Sequence, residues 1–373
     1  MPDPQEPATL PWWQRLLQTP VTAALIALCV LAYAATLSAA LATSADPATT
    51  AIHSLWSLSG HEEVFRRFGA LELTRIWQDD EWWRLLSTGI LHGSLLHLVL
   101  NVWSLAAIGE YVEDTWGPAR TLLLFIASSL AGCLASLLWC ESPMVVGASA
   151  GALGQAGALW SARHFGTPTT QTKLEEVSDF RLGILILLCL VVGAVVPGIA
   201  QAGHVGGLIM GAGIGWVWSR PRPRWLHILA ALVGVGALAT LASLAKAPTW
   251  FPNYHLFQGA RAAEEQRYPE AIEFFHIAVE RGPDDASTLN DIAYALAKAK
   301  QELDWAETLA RKALTADPEN ENFLDTLGWV LCRQGRPDEG LPLIQQSIAT
   351  FSGTAPEEIS QHLIDCPAAS SAP

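Results

Sequence analysis

The sequence predicts an all-α protein in two parts, a polytopic membrane helix bundle over residues 1–249 and a short soluble α-solenoid over residues 250–373. Three observations carry that expectation. Long apolar runs fill residues 20–245, each near the roughly 20 residues needed to cross a bilayer core. Residues 250–373 are instead acidic and rich in Ala, Leu and Glu, so most of the net charge of −14 lies apart from the long apolar runs. Within the second half, a pattern of small and apolar residues returns about every 34 positions.

Taken in order, residues 1–19 hold Pro2, Pro4, Pro7 and Pro11, then Trp12, Trp13 and Arg15, an opening that ends in residues suited to the membrane interface. The first span, 20–42, is uncharged and too long for the apolar stretch of a signal peptide, so it reads as an uncleaved anchor. Residues 43–90 mix charges with Trp56, Trp77, Trp82 and Trp83, which suits a partly helical loop lying in the interface. Further spans read at 94–114, 118–139, 148–164, 181–199, 201–219 and 225–245. That makes a six-helix core and a seventh span; six is the competing count, because the fourth is short and Pro197-Gly198 barely divides the fifth from the sixth.

Orientation follows from positive charge. Arg220, Arg222 and Arg224 join the last two spans, and Arg163, Lys173 and Arg181 join the fourth to the fifth. Both connections then face the cytoplasm, with the amino terminus inside and the carboxy-terminal part outside. The short loops suit a bacterial inner membrane.

In the second half, Gly259, Ala271, Phe275, Ala278 and Pro283 mark a first unit. Leu289, Ile292, Ala293, Ala306, Ala310, Ala313 and Pro318 mark a second, and Leu324, Leu327, Gly328 and Leu331 a third, with Gly340 and Ser347 at positions where alanine is usual. This spacing resembles tetratricopeptide repeats. The resemblance implies a binding surface for a protein or peptide, and residues 357–363 read as a capping helix.

Cys29, Cys133, Cys140 and Cys189 fall in apolar runs, where a thiol behaves as a small hydrophobe. Cys332 and Cys366 are the pair that could bond, which spacing alone does not decide. No Cys/His cluster has metal-ligand spacing and no basic patch points to nucleic acid, so no metal or nucleic-acid partner is expected.

The chemistry is sought in polar residues stranded among apolar ones: Ser149, His92, His97, Asn101 and His204. Alone, Gly147-Ala148-Ser149-Ala150-Gly151 reads more readily as helix packing. Together the residues suggest a site, because polar groups are costly in a membrane unless they meet partners or a wet cavity. Ala150, Gly154 and Ala158 make one four-spaced small ridge, and Gly203, Gly207, Gly211 and Gly215 another. Facing ridges would bring Ser149 to His204, as nucleophile and general base. No intramembrane Asp or Glu suits the imidazole, so a dyad is expected rather than a triad. Ser149 follows Pro143 at the start of its helix, where unpaired N–H groups could hold an oxyanion with help from His97 and Asn101.

Across residues 75–216 these features resemble the rhomboid intramembrane serine proteases. The match comprises Trp83-Arg84, then His92, His97 and Asn101, then Gly147-x-Ser149, then Gly203-His204-Val205-Gly206-Gly207 with Gly211. The resemblance implies hydrolysis of peptide bonds in or near transmembrane helices of protein substrates, without metal or cofactor. In it Trp83 and Arg84 are structural, and His92, Gly147, Gly207 and Gly211 are supporting. Two positions depart from the family: Ala150 stands where Gly is usual and Leu153 where an aromatic ring is usual, which predicts altered rate or selectivity. The competing reading is a catalytically silent membrane adaptor or chaperone acting through its repeats. A transporter is disfavoured by the absence of paired broken helices and of an acidic relay.

Overall fold

The computed structural model describes residues 18–57, 61–139, 144–195, 200–282, 285–350 and 356–366. The opening residues Pro2 to Arg15, together with Cys140, Pro143, Pro197, Gly198 and Pro283, lie outside the described residues. The chain divides into two compact units, Met1–Lys246 and Ala247–Pro373.

The first unit is a helix bundle. Its first helix among the described residues, α1 (Pro20–Thr43), opens on proline, whose fixed φ and missing N–H suit the first turn. The segment after it is partly helical: α2 (Pro47–His53), α3 (Glu62–Phe68), a short strand β1 (Leu71–Glu72), α4 (Leu73–Asp79), α5 (Arg84–Ser87) and a 3-10 turn, Thr88–Ile90. Helix α6 (Leu95–Trp116) starts at Ser94, whose hydroxyl accepts from the His97 N–H. Then come α7 (Pro118–Trp139), strand β2 (Met144–Val145), α8 (Ser149–Phe165), α9 (Pro168–Lys173), α10 (Asp179–Val195), α11 (Gln201–Trp218) and α12 (Arg224–Lys246). Alternation alone had not foreseen the strands: β1 pairs antiparallel with β2, Leu71 opposite Val145 and Glu72 opposite Met144.

Among the described residues, four helices, α1, α6, α7 and α12, are long and apolar enough to cross a bilayer. The other three expected spans are shorter, α8 and α10 at 17 residues and α11 at 18. Helix α8 is the enclosed one, with every residue from Gly151 to Leu159 buried. Protein contacts rather than lipid surround it, so its composition can be rich in glycine and alanine. Helix α12 lays Leu238, Leu241 and Ala242 beside Leu71, Leu134 and Leu137, and the Trp77 Nε1–H donates to the Ala245 carbonyl at 3.0 Å.

A carboxylate ties the first span to the second. Glu113, buried near the end of α6, accepts from the N–H groups of Val21 and Thr22 at 3.0 and 2.9 Å and from the Thr22 hydroxyl at 2.9 Å. These are N–H groups that the first turn of α1 cannot satisfy internally.

Basic residues gather where the connections between helices meet. The Arg220 Nε–H donates to the Phe165 carbonyl, Arg220 and Arg222 lie over Trp216, and Arg120 lies over Trp218. Such rings and guanidinium groups favour a membrane interface.

The second unit stacks three helical hairpins: α13 (Pro252–Glu264) with α14 (Tyr268–Arg281), α15 (Ala286–Ala299) with α16 (Leu303–Ala316), and α17 (Glu321–Arg333) with α18 (Pro337–Thr350). Asp285 and Asn320 cap α15 and α17 through their side chains. Phe275, Leu289, Ile292, Ala293, Ala310 and Ala313 form one buried core. The two departures in the third hairpin have local causes. A β-carbon on Gly340 would stand 2.5 Å from the Gly328 carbonyl oxygen, and the Ser347 hydroxyl donates to the Glu321 carbonyl at 2.7 Å. Helix α19 (Glu357–Asp365) follows, and a disulfide joins Cys332 to Cys366.

Candidate active site

Ser149 is the first residue of α8. Gly147, two residues earlier, has φ +135°, which L side chains rarely adopt. The loop is pinned from across the chain. The Gly147 N–H donates to the Thr88 carbonyl at 3.1 Å, and the Thr88 hydroxyl donates to the Val145 carbonyl and accepts from the Leu71 N–H. The first turn of α8 therefore starts at a fixed place, and its leading N–H groups have no acceptor within the helix.

His204 reaches this serine because α8 and α11 touch backbone to backbone. A β-carbon on Gly207 would overlap the Ala150 backbone, one on Gly211 the Gly154 backbone, and one on Gly215 the Ala158 backbone. The ridges expected from the four-residue spacing face each other at Gly207, Gly211 and Gly215, whereas Gly203 meets Ser136 and Gly132 of α7. His204, 8% exposed, thereby sets Nε2 2.9 Å from the Ser149 Oγ. To take the serine proton, Nε2 must be the nitrogen without hydrogen, leaving the proton on Nδ1.

Helix α10 closes the far side of the imidazole. A β-carbon on Gly193 would come 2.9 Å from His204 Nδ1 and would press on Gln201 Oε1, while the Gln201 amide donates to the Leu190 carbonyl at 3.0 Å.

The histidines of the second span lie on the opposite side. A β-carbon at Gly147 would stand 2.9 Å from His97 Nε2 and 3.6 Å from Ser149 Oγ, so imidazole and hydroxyl flank one glycine. His92 is fully buried, its ring centroid 5.1 Å from that of His97 in an edge-on arrangement, with Nδ1 at 3.2 Å from the Ile90 carbonyl. Asn101 is buried one turn beyond His97, but its amide donates to the His97 carbonyl at 2.9 Å. That bond commits one of its donors to its own helix.

Arg84 is 4% exposed. It donates to the carbonyls of Arg66 and Ala70 at 2.8 and 3.0 Å, pairs with Glu81 at 2.6 Å and lies over the Trp83 ring. These contacts hold the first loop, away from the reacting atoms. The Ala150 methyl packs on α7, where a β-carbon on Gly132 would meet it at 2.5 Å, and Leu153 is buried at 2% exposure.

Sequence reasoning missed Thr88, Gly193, Gln201 and Glu113. Thr88 and Gly193 carry no signal of their own, because each acts by its place against a distant segment. Gln201 and Glu113 were legible as polar groups at the ends of apolar runs.

Residues 79–221 match the Rhomboid domain. The chain is 32% identical over 165 residues to RHOMBOID-like protein 4 of Arabidopsis thaliana, covering 44% of this chain and 41% of that protein. It is 28% identical over 265 residues to Rhomboid protease GluP of Bacillus subtilis (strain 168), covering 70% of this chain and 51% of that one. It is also 30% identical over 99 residues to Inactive RHOMBOID-like protein 8 of Arabidopsis thaliana, covering 26% and 28%. The chain spans about half the length of the curated relatives it matches. The domain match and these relatives support the rhomboid family, and with the long apolar helices they support an integral membrane protein.

Proposed function

We propose, from the Rhomboid domain at residues 79–221, that the membrane half is an intramembrane serine protease acting through Ser149 and His204. The observation that carries this reading is the 2.9 Å approach of His204 Nε2 to Ser149 Oγ at the first turn of a buried helix. In this mechanism Ser149 Oγ attacks the carbonyl carbon of a peptide bond as His204 Nε2 takes its proton. The carbonyl oxygen becomes an oxyanion held by N–H groups of the first turn of α8 and by His97, with Asn101 joining once its amide turns from the His97 carbonyl. Collapse breaks the C–N bond, and His204 returns the proton to the departing amine. Water, deprotonated by His204, then attacks the acyl-enzyme, releases the carboxylate product and restores Ser149. Substrates are transmembrane helices that unwind readily, since backbone hydrogen bonds must open before a carbonyl can be reached.

In this reading the second unit is a tetratricopeptide-type domain that recruits substrate or partner. It lies outside the cytoplasm, on the side opposite the arginine-rich connections. The Cys332–Cys366 disulfide supports that side, because such bonds persist in oxidising compartments. Reporter fusions after Pro252 test it, and cytoplasmic-only signal reverses it.

The test of the activity is labelling of the purified protein by a fluorophosphonate probe, in wild type, Ser149→Ala and His204→Ala. Labelling of wild type alone supports the dyad. A second reading, a silent adaptor, draws on the match to a protein named inactive and on Ala150 and Leu153. A folded wild type that takes no label selects it.

A further inference from the structure

Within the second unit, α19 packs on both helices of the third hairpin and also reaches back over the first helix of the second. The Tyr294 hydroxyl of α15 donates to the Glu358 carboxylate. His362 stacks on Trp329 of α17 with centroids 4.4 Å apart, and its Nδ1 is 2.9 Å from Asp325 Oδ2. Cys366 is bonded to Cys332, two turns beyond Asp325 on the same helix. The anchors Ile359, His362, Leu363 and Cys366 follow the i, i+3, i+4, i+7 spacing of an amphipathic helix laid in a groove. They meet Tyr294, Asp325, Trp329 and Cys332, which share one inner face.

This resident helix leaves acceptors over. Asp325 is 5% exposed and its Oδ1 has no hydrogen-bond partner among the described residues; the same holds for Oδ1 of Asn290, one turn before Tyr294. A buried acceptor without a donor is costly, so an occupant that supplied donors would fit the groove better.

We propose that the inner face of α15 and α17 binds an amphipathic helix of another protein that presents Arg, Lys or amide donors toward Asp325 and Asn290. Helix α19 is its tethered placeholder, locked by the Cys332–Cys366 disulfide. A dithiol reductant opens the lock: its two thiols become a disulfide, and the two protons and two electrons go to Cys332 and Cys366 as thiols. Untethered at its end, α19 then exchanges with the incoming helix. This inference rests on the reading of the second unit as a partner-recruiting domain and stands whether or not the membrane half is a protease.

The test uses the full chain in detergent and a fluorescent peptide of residues 356–366 carrying Cys366→Ser. The peptide is expected to bind the Cys366→Ser/His362→Ala protein saturably and to leave oxidised wild type unbound. A peptide that also carries His362→Leu, which strands Asp325, is expected to bind at least about tenfold more weakly. Equal binding to oxidised wild type overturns the proposal, as does no binding to the variant when circular dichroism shows its helices intact. Should the variant misfold, amide exchange of wild type decides. After dithiothreitol has freed both thiols, α19 is expected to lose protection while α13–α18 keep theirs, and unchanged protection of α19 overturns the lock.

Discussion

Gly207 of α11 rests so closely on Ala150 of α8 that a β-carbon at Gly207 would overlap the Ala150 backbone. Gly207 is one helical turn from His204 and Ala150 is next to Ser149, so any side chain there pushes the two apart. Gly207→Val is expected to cut fluorophosphonate labelling by about 100-fold, the scale of a misplacement of about 1 Å. Gel filtration in detergent would check that the variant remains folded, and normal labelling of it would remove the ridge from the account of the site.

Gly193→Ala probes the other face of the imidazole. Its new methyl would meet His204 Nδ1 at 2.9 Å and Gln201 Oε1 more closely still. Because α10 can shift outward, the expected result is a loss of labelling rate of about tenfold with a melting temperature near wild type. Equal loss of both quantities would mean general disruption instead.

Glu113→Ala removes the acceptor that Val21 and Thr22 share. A hydrogen bond to a charged group contributes roughly 1.5–3 kcal/mol, and N–H groups left buried without a partner add to the cost. The variant is expected to unfold more readily in a denaturant titration by about 2 kcal/mol or more. Its labelling under mild conditions should stay close to wild type, since the cap lies far from Ser149 in sequence and on another helix end.

Tyr294 supplies a pH dependence outside the membrane. Burial, and then the hydrogen bond to the Glu358 carboxylate, hold its phenol above the ordinary range. A raised acid favours the protonated form in the folded state. Its contribution is therefore complete below the unfolded value of about 10 and is lost as pH climbs through the raised value. Ultraviolet titration of wild type against Tyr294→Phe should show one tyrosine ionising later than the rest, and a difference spectrum that titrates near 10 would contradict the contact.

Much of this arrangement was legible in the sequence because it rests on spacing. Glycines four apart must lie along one face of a helix, so Gly207, Gly211 and Gly215 could be matched to Ala150, Gly154 and Ala158 without coordinates. The same periodicity gave helices close to the expected spans, and three helical hairpins over residues 252–350. What spacing does not carry is contact between distant segments. Thr88 reaches the loop before Ser149 across 57 residues to Val145, and Glu113 reaches Thr22 across 91. The direction in which Asn101 spends its amide also lay beyond pattern, since a helix position determines the face of a side chain but not the partner it selects.

The toothed contact between α8 and α11 also limits how this site can be tuned. Its teeth repeat every four residues, so the next notch lies about 6 Å along the axis and positions between notches would drive backbone into backbone. A slip of one notch would carry His204 out of reach of Ser149 altogether. The same contact that brings the two side chains together thus also acts as a detent, holding the reach between them against any sliding shorter than a full notch.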